Sequence, residues 1–163
     1  GIGSLDVVLD AASPAPVVYA RVFNDAGAAG TSGLGEPAID VSQPGYLPGS
    51  LVMSGGCTGL LSAPVDPATQ RINIGMRSLD TGVTISFTLK SEDGATRASA
   101  LQTLSPNEFL QVKAEDLFGG TAPGANDYIQ VSVSGASIVY GATTDNTTND
   151  PSVQFVTPIG CVA

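Results

Sequence analysis

Val83-Thr84-Ile85-Ser86-Phe87-Thr88-Leu89-Lys90 decides the fold. Each odd position is apolar and each even position polar, the two-residue period of a strand that buries one face and solvates the other. Glu92-Asp93-Gly94 follows as a tight hairpin turn, and residues 98–104 pair back. The same short-period signal recurs in both directions. Towards the C-terminus, residues 109–112, 128–133, 137–140 and 152–156 read as strands. Ala114-Glu115-Asp116-Leu117-Phe118 reads as one helical turn closed by Gly119-Gly120. Towards the N-terminus, residues 71–76 alternate well. Leu5, Val7 and Leu9 alternate with Asp6, Val8 and Asp10, and residues 17–23 return after the turn Ser13-Pro14-Ala15-Pro16. Residues 26–35, rich in Gly, Ala, Ser and Thr, read as loop. Residues 36–58 read as a meandering connection with one or two short edge strands.

No segment sustains a helical period. The pattern therefore predicts an all-β chain: a β-sandwich of about eight to ten short strands, Ig-like or jelly-roll-like, with at most one helical turn. A closed barrel is the alternative. The length fits one domain over residues 1–163. An internal echo runs through it. Val17-Val18-Tyr19-Ala20 precedes Asn24-Asp25, and Ile138-Val139-Tyr140-Gly141 precedes Asp145-Asn146 at the same spacing. An alternating strand and a Ser-containing turn lie before each. Residues 5–25 and 128–146 read either as two divergent hairpin copies or as two hairpins alike only because hairpins are.

Composition narrows the function. Charged residues are 13% of the chain against about 25% in an average domain. Six basic residues face fifteen acidic ones, a net charge of −9. Such a chain cannot build the basic face that nucleic acid or an anionic membrane requires. No apolar run approaches the ~20 residues of a membrane span, so no membrane insertion is expected, and a secretion signal would already have been removed. Twenty glycines and eleven prolines suit short strands and many turns.

Cys57 and Cys161 are the only cysteines. Their even number, and their places in the Gly-containing sequences Gly55-Gly56-Cys57 and Gly160-Cys161, favour a disulfide over two buried thiols. The bridge would close a loop of about a hundred residues.

The chemistry available is limited. Without histidine, Ser-His-Asp and Cys-His catalysis and the usual zinc sets are excluded. Two carboxylates could run glycoside hydrolysis, but most acidic residues sit in turns where carboxylates cap backbone amides. The acidic loop Asp145-Asn146-Thr147-Thr148-Asn149-Asp150 is the candidate calcium site, with Asp145, Asn146, Asn149 and Asp150 as oxygen donors. Its spacing is not that of an EF-hand, and an Asx-turn loop bonded to its own backbone is the simpler reading. Asn146-Thr147-Thr148 is also a glycosylation acceptor if the source glycosylates. With four tyrosines, five phenylalanines and no tryptophan, an aromatic sugar platform has few candidates, Tyr46 among them. Arg71 and Arg77 read as solvated charges guarding a strand edge, or as partners of a turn carboxylate.

Two stretches resemble a loosely defined group of uncharacterised bacterial secreted modules. One is Arg71-Ile72-Asn73-Ile74-Gly75. The other runs from Tyr140-Gly141-Ala142-Thr143-Thr144 through Asp145-Asn146-Thr147-Thr148-Asn149-Asp150-Pro151. Tyr19-Ala20-Arg21…Asn24, followed by Gly30-Thr31-Ser32-Gly33, is similar too. Gly141 and Thr143 depart from the small and branched apolar residues expected there. The resemblance implies an extracellular β-sandwich accessory domain and no known activity.

The reading that follows is a non-catalytic extracellular or cell-surface structural module, a subunit of a filament or layer. Its expected partners are like copies of itself, met through the apolar terminal segments 2–9 and 153–159. The alternative is a glycan- or surface-binding module appended to a secreted protein.

Overall fold

Eleven strands and one short helix make up this computed structural model, which describes residues 3–10, 16–25, 27, 31–42, 49–64, 66–79 and 81–162. The 83–90 pattern becomes β5 (Val83–Lys90), and its register is the expected one: Val83, Ile85, Phe87 and Leu89 are buried. β5 lies between β6 (Thr96–Leu104) and β8 (Tyr128–Val133). β3 (Cys57–Ser62) and β11 (Pro158–Cys161) complete this sheet in the order β11-β3-β8-β5-β6, all antiparallel. The opposing sheet has the order β10-β9-β4-β7, from β10 (Pro151–Phe155), β9 (Ser137–Asp145), β4 (Gln70–Ser78) and β7 (Phe109–Lys113). Ile72, Ile74, Met76 and Val139 of one sheet meet Leu61, Ile85, Phe87, Ile129 and Val131 of the other in one core. The fold is an all-β sandwich, with α1 (Ala114–Leu117) as its single helical turn.

Local chemistry explains the turns. Gly94, at φ 85°, closes the β5–β6 hairpin in a backbone conformation that side chains rarely adopt. Asp93 Oδ1 there accepts from Ser91 Oγ (2.6 Å) and from the Ala95 amide (3.1 Å). These bonds hold its carboxyl below the usual carboxylate range. After α1, the Gly120 amide bonds Glu115 O at 2.9 Å and Gly119 and Gly120 both take positive φ, a glycine C-cap.

Several expectations are revised. β2 (Thr31–Pro37) is a strand inside the segment read as loop, paired with β1 (Tyr19–Asp25) in a separate two-stranded sheet. Low strand propensity is overridden there by a pairing partner. Cys57 opens β3 and Cys161 ends β11, so both cysteines are strand residues, facing each other across the ladder. The stretch 153–159 is not one strand. It leaves the four-stranded sheet at β10, passes Val156, whose amide bonds Val139 O at 2.8 Å in the core, and joins the five-stranded sheet as β11. Residues 128–146 are not a hairpin: β8 and β9 lie in opposite sheets, joined by an arch that Met53 locks through a two-way bridge to Ser137. Residues 3–10 are extended but join no strand ladder. The sandwich is thus built from residues 49–162, with 3–10, β1 and β2 outside its two sheets. Arg71 and Arg77 belong to an interior strand, not an edge. Residues 13–15, Tyr46 and Asp80 lie outside the described residues.

The Cys57–Cys161 disulfide forms, spanning 104 residues, and fastens edge strand β11 to β3. A cross-link over a loop of that length stabilises by roughly 4–5 kcal/mol in the chain-entropy account. Reduction is therefore expected to lower the unfolding free energy by that order in denaturant titration, and alkylation of the unfolded, unreduced protein should modify no thiol. Phe87→Ala should cost roughly 3–5 kcal/mol. Thr88→Ala, on the outward face, should cost under about 1 kcal/mol. Equal losses would contradict the register.

Candidate interaction surface

The two outer faces of the sandwich differ in chemistry. On the five-stranded sheet the outward positions are mainly hydroxyls and amides: Thr58, Ser86, Thr88, Ser99, Gln130 and Ser132, in register across four strands. On the four-stranded sheet they are mixed: Arg71, Asn73, Arg77, Gln111, Lys113 and Thr144 share the outward face with an apolar group. Phe109, Ile138, Tyr140, Ala142, Val153 and Phe155 share one outward face, all half-buried. An antiparallel sheet usually leaves such a face polar, so apolar residues there need cover.

An aromatic strip crosses this face. The Phe109 and Tyr140 rings are 6.5 Å apart and stacked, and Tyr140 and Phe155 are 5.8 Å apart and tilted. Gly75 makes the strip possible. It sits directly opposite Tyr140, and a Cβ there would fall 2.1 Å from the ring's Cζ. The phenol therefore lies over bare backbone, its Oη donating to Gln111 Oε1 at 2.8 Å. Burial pushes the Tyr140 phenol above its usual range, and the negative charge of Glu36 on β2 adds to this. The ring is a neutral, packed surface element at ordinary pH.

Arg77, also on this face, ties down the N-terminal segment. Its Nη2 donates to Asp6 Oδ2 at 2.7 Å and its Nη1 to Ser4 Oγ. This ion pair realises the expected carboxylate partner for Arg77, though from an extended segment and not a turn. Ser4 and Asp6 face the sandwich, whereas Leu5 is 89% and Val8 91% exposed. Val17, Tyr19 and Val22 of the neighbouring stretch are exposed as well. β2 packs beside β10.

The other residues singled out from sequence fall as follows. Asp145 Oδ1 accepts from the amides of Thr147 (2.7 Å) and Thr148 (2.9 Å). Those backbone bonds hold its carboxyl below the usual range. Asn149 has φ 58°, and its amide bonds Asp145 O at 2.9 Å, while the Asp145 amide bonds Asp150 O at 3.1 Å. Asn146 Oδ1 accepts from Arg71 Nη1 at 2.5 Å. The loop thus has the hydrogen bonding of an Asx turn, and among the described residues no group of three or more acidic or thiol side chains could hold a metal. The ion pair Arg97–Asp127 gave no signal in the sequence. Asp127 is buried, also accepts from the Gly124 amide at 2.6 Å, and anchors the start of β8 to β6. Among the described residues no helix is long and apolar enough to cross a membrane.

No family model and no curated protein matches the chain. Its fold is similar to the crystal structure of Thermotoga maritima 1070, with a TM-score of 0.50 and 13% identity over 65% of this chain and 95% of that one. At that identity the likeness is one of fold alone.

Gly75→Ala should destabilise the sandwich by roughly 1–3 kcal/mol, because the ring must leave its seat. Combined with Tyr140→Ala the two losses should fall short of additivity in a double-mutant cycle, since the new methyl then has room. Strict additivity would show that Tyr140 does not lie over Gly75.

Proposed function

We propose that this chain is a non-catalytic, extracellular structural module that assembles with like domains into a filament or layer. The observation that carries this reading is the N-terminal region. Residues 3–10, Val17 and β1 present Leu5, Val8, Val17, Tyr19 and Val22 to solvent, beside the outer sheet face that carries the aromatic strip. Exposed apolar surface of this extent marks a site of association. Extended segments join other sheets through main-chain hydrogen bonds, and head-to-tail contacts of that sort grow into filaments unless the rotation closes a ring. The other expected contact, residues 153–159, forms β10 and β11, which lie at the edges of the two sheets and so stay available as the surface that a neighbour's N-terminal region meets.

The lack of histidine removes the common nucleophile and general-base arrangements and supports a non-catalytic role. The disulfide supports an oxidising, extracellular location. So does the resemblance to bacterial secreted modules carried by Arg71–Gly75 and Tyr140–Pro151.

Sedimentation and light scattering of the purified chain should show concentration-dependent association, and deleting residues 1–37 should leave a folded monomer. A chain that stays monomeric at high concentration would contradict the assembly reading and favour the glycan-binding module. In that case the place to look is the uncharged cleft of about 240 Å³ lined by Ser62, Gln70, Thr143, Ser152 and Gln154.

A further inference from the structure

Residues 5–37 repeat, in order, the pattern of β8–β9–β10. Leu5, Val7 and Leu9 alternate as Ile129, Val131 and Val133 do. A Ser-containing link follows each run. Val17-Val18-Tyr19 then leads into β1, as Ile138-Val139-Tyr140 falls at the start of β9, and an Asn/Asp pair follows each tyrosine at the same spacing, Asn24-Asp25 as the last residues of β1 and Asp145-Asn146 across the end of β9. β1 pairs antiparallel with β2, as β9 pairs with β10. The glycines beneath the two tyrosines are on non-equivalent strands, Gly75 of β4 for Tyr140 and Gly35 of β2 for Tyr19, and are not part of the repeat.

The two units differ in their neighbours. β8 is flanked by β3 and β5, and β9 by β4 and β10, whereas among the described residues the segment 5–10 joins no ladder and β1 pairs with β2 alone. Burial follows. Ile129, Val131 and Val133 are 0%, 0% and 5% exposed, against 89%, 51% and 47% for Leu5, Val7 and Leu9. The first unit carries the core-facing pattern of a sandwich without the strands that would seal it.

We propose that residues 5–37 are the β8–β9–β10 part of a second sandwich, and that what they fit is a partner segment of the β3–β7 pattern. Such a segment would supply an alternating strand like 83–89 to cover Leu5, Val7 and Leu9. It would also bring a strand like Arg71-Ile72-Asn73-Ile74-Gly75 to lie beside β1, as β4 lies beside β9. This deepens the assembly reading and rests on it for the role of the N-terminal region as the surface that meets like domains. Association of unaltered copies is the weaker contact, because each copy's own β3–β7 strands are already covered by its own β8–β10.

The test is an extended chain in which residues 49–127, carrying Cys57→Ser, are duplicated directly ahead of residue 4 of the full sequence, which sets Leu5 at the place of Ile129. The expected result is two unfolding transitions by calorimetry, added β-strand signal, and loss of the association shown by the unaltered chain. Val18→Asp should abolish only the new transition, Val18 being the counterpart of the fully buried Val139. An added segment that stays unfolded, or a new transition indifferent to Val18→Asp, overturns the proposal. If the unaltered chain never associates yet the extended chain forms two sandwiches, the assembly reading fails while the half-sandwich assignment stands.

Discussion

β4 and β9 run side by side through nine paired residues, from Gln70↔Asp145 to Ser78↔Ser137, and both faces of that ladder are committed. Inward, Ile72, Ile74, Met76 and Val139 close the core against the five-stranded sheet. Outward, Gly75 gives Tyr140 room to lie flat, and the ring gathers Phe109 and Phe155 around it. The inward face needs a second layer, and the outward face carries this aromatic strip beside Arg71, Asn73, Arg77, Gln111 and Lys113. The five-stranded sheet supplies that layer. On the other side the described residues provide the anchored segment 3–10 and the neighbouring β1–β2 hairpin, both of which carry exposed apolar groups of their own.

Residues 57–162 of the fold were largely legible because strand alternation there is regular and the turns carry their usual residues. β5, the Glu92-Asp93-Gly94 turn, the helical turn before Gly119 and the Cys57–Cys161 pairing all follow from local chemistry. The misses share a cause: pattern shows which residues make strands but not which strands become neighbours. Residues 128–140 look like a hairpin, yet β8 and β9 part to opposite sheets, because each side of the core needs a strand there. β2, with three glycines or prolines among its seven residues, exists only through pairing with β1. Leu5, Val7 and Leu9 have a strand pattern and remain unladdered for want of a neighbour.

The interaction surface was legible in part. The terminal segments drew attention through their apolar content, but sequence could not show that the C-terminal one divides into the edge strands β10 and β11 of opposite sheets, whereas residues 3–10 join no ladder among the described residues. The aromatic strip escaped notice because Tyr140 and Phe155 seemed to occupy core positions. Their outward direction depends on the β9–β10 register, and it is Gly75, on a third strand, that makes room. Arg77 reads from sequence either as an edge guard or as the partner of a turn carboxylate. Its ion pair with Asp6 spans 71 residues and needs the three-dimensional fold to be seen.

The account centres on residues 3–10, β1 and β2 as the part of the molecule made to be covered by a like domain. Isotope-filtered NMR on a mixture of methyl-labelled and unlabelled copies at high concentration tests this most directly. The account predicts intermolecular contacts at the methyls of Leu5, Val8 and Val22, with the methyls of the five-stranded sheet's hydroxyl-rich face silent. An association whose contacts lie on that hydroxyl-rich face, with Leu5 and Val8 still open to water, would contradict it.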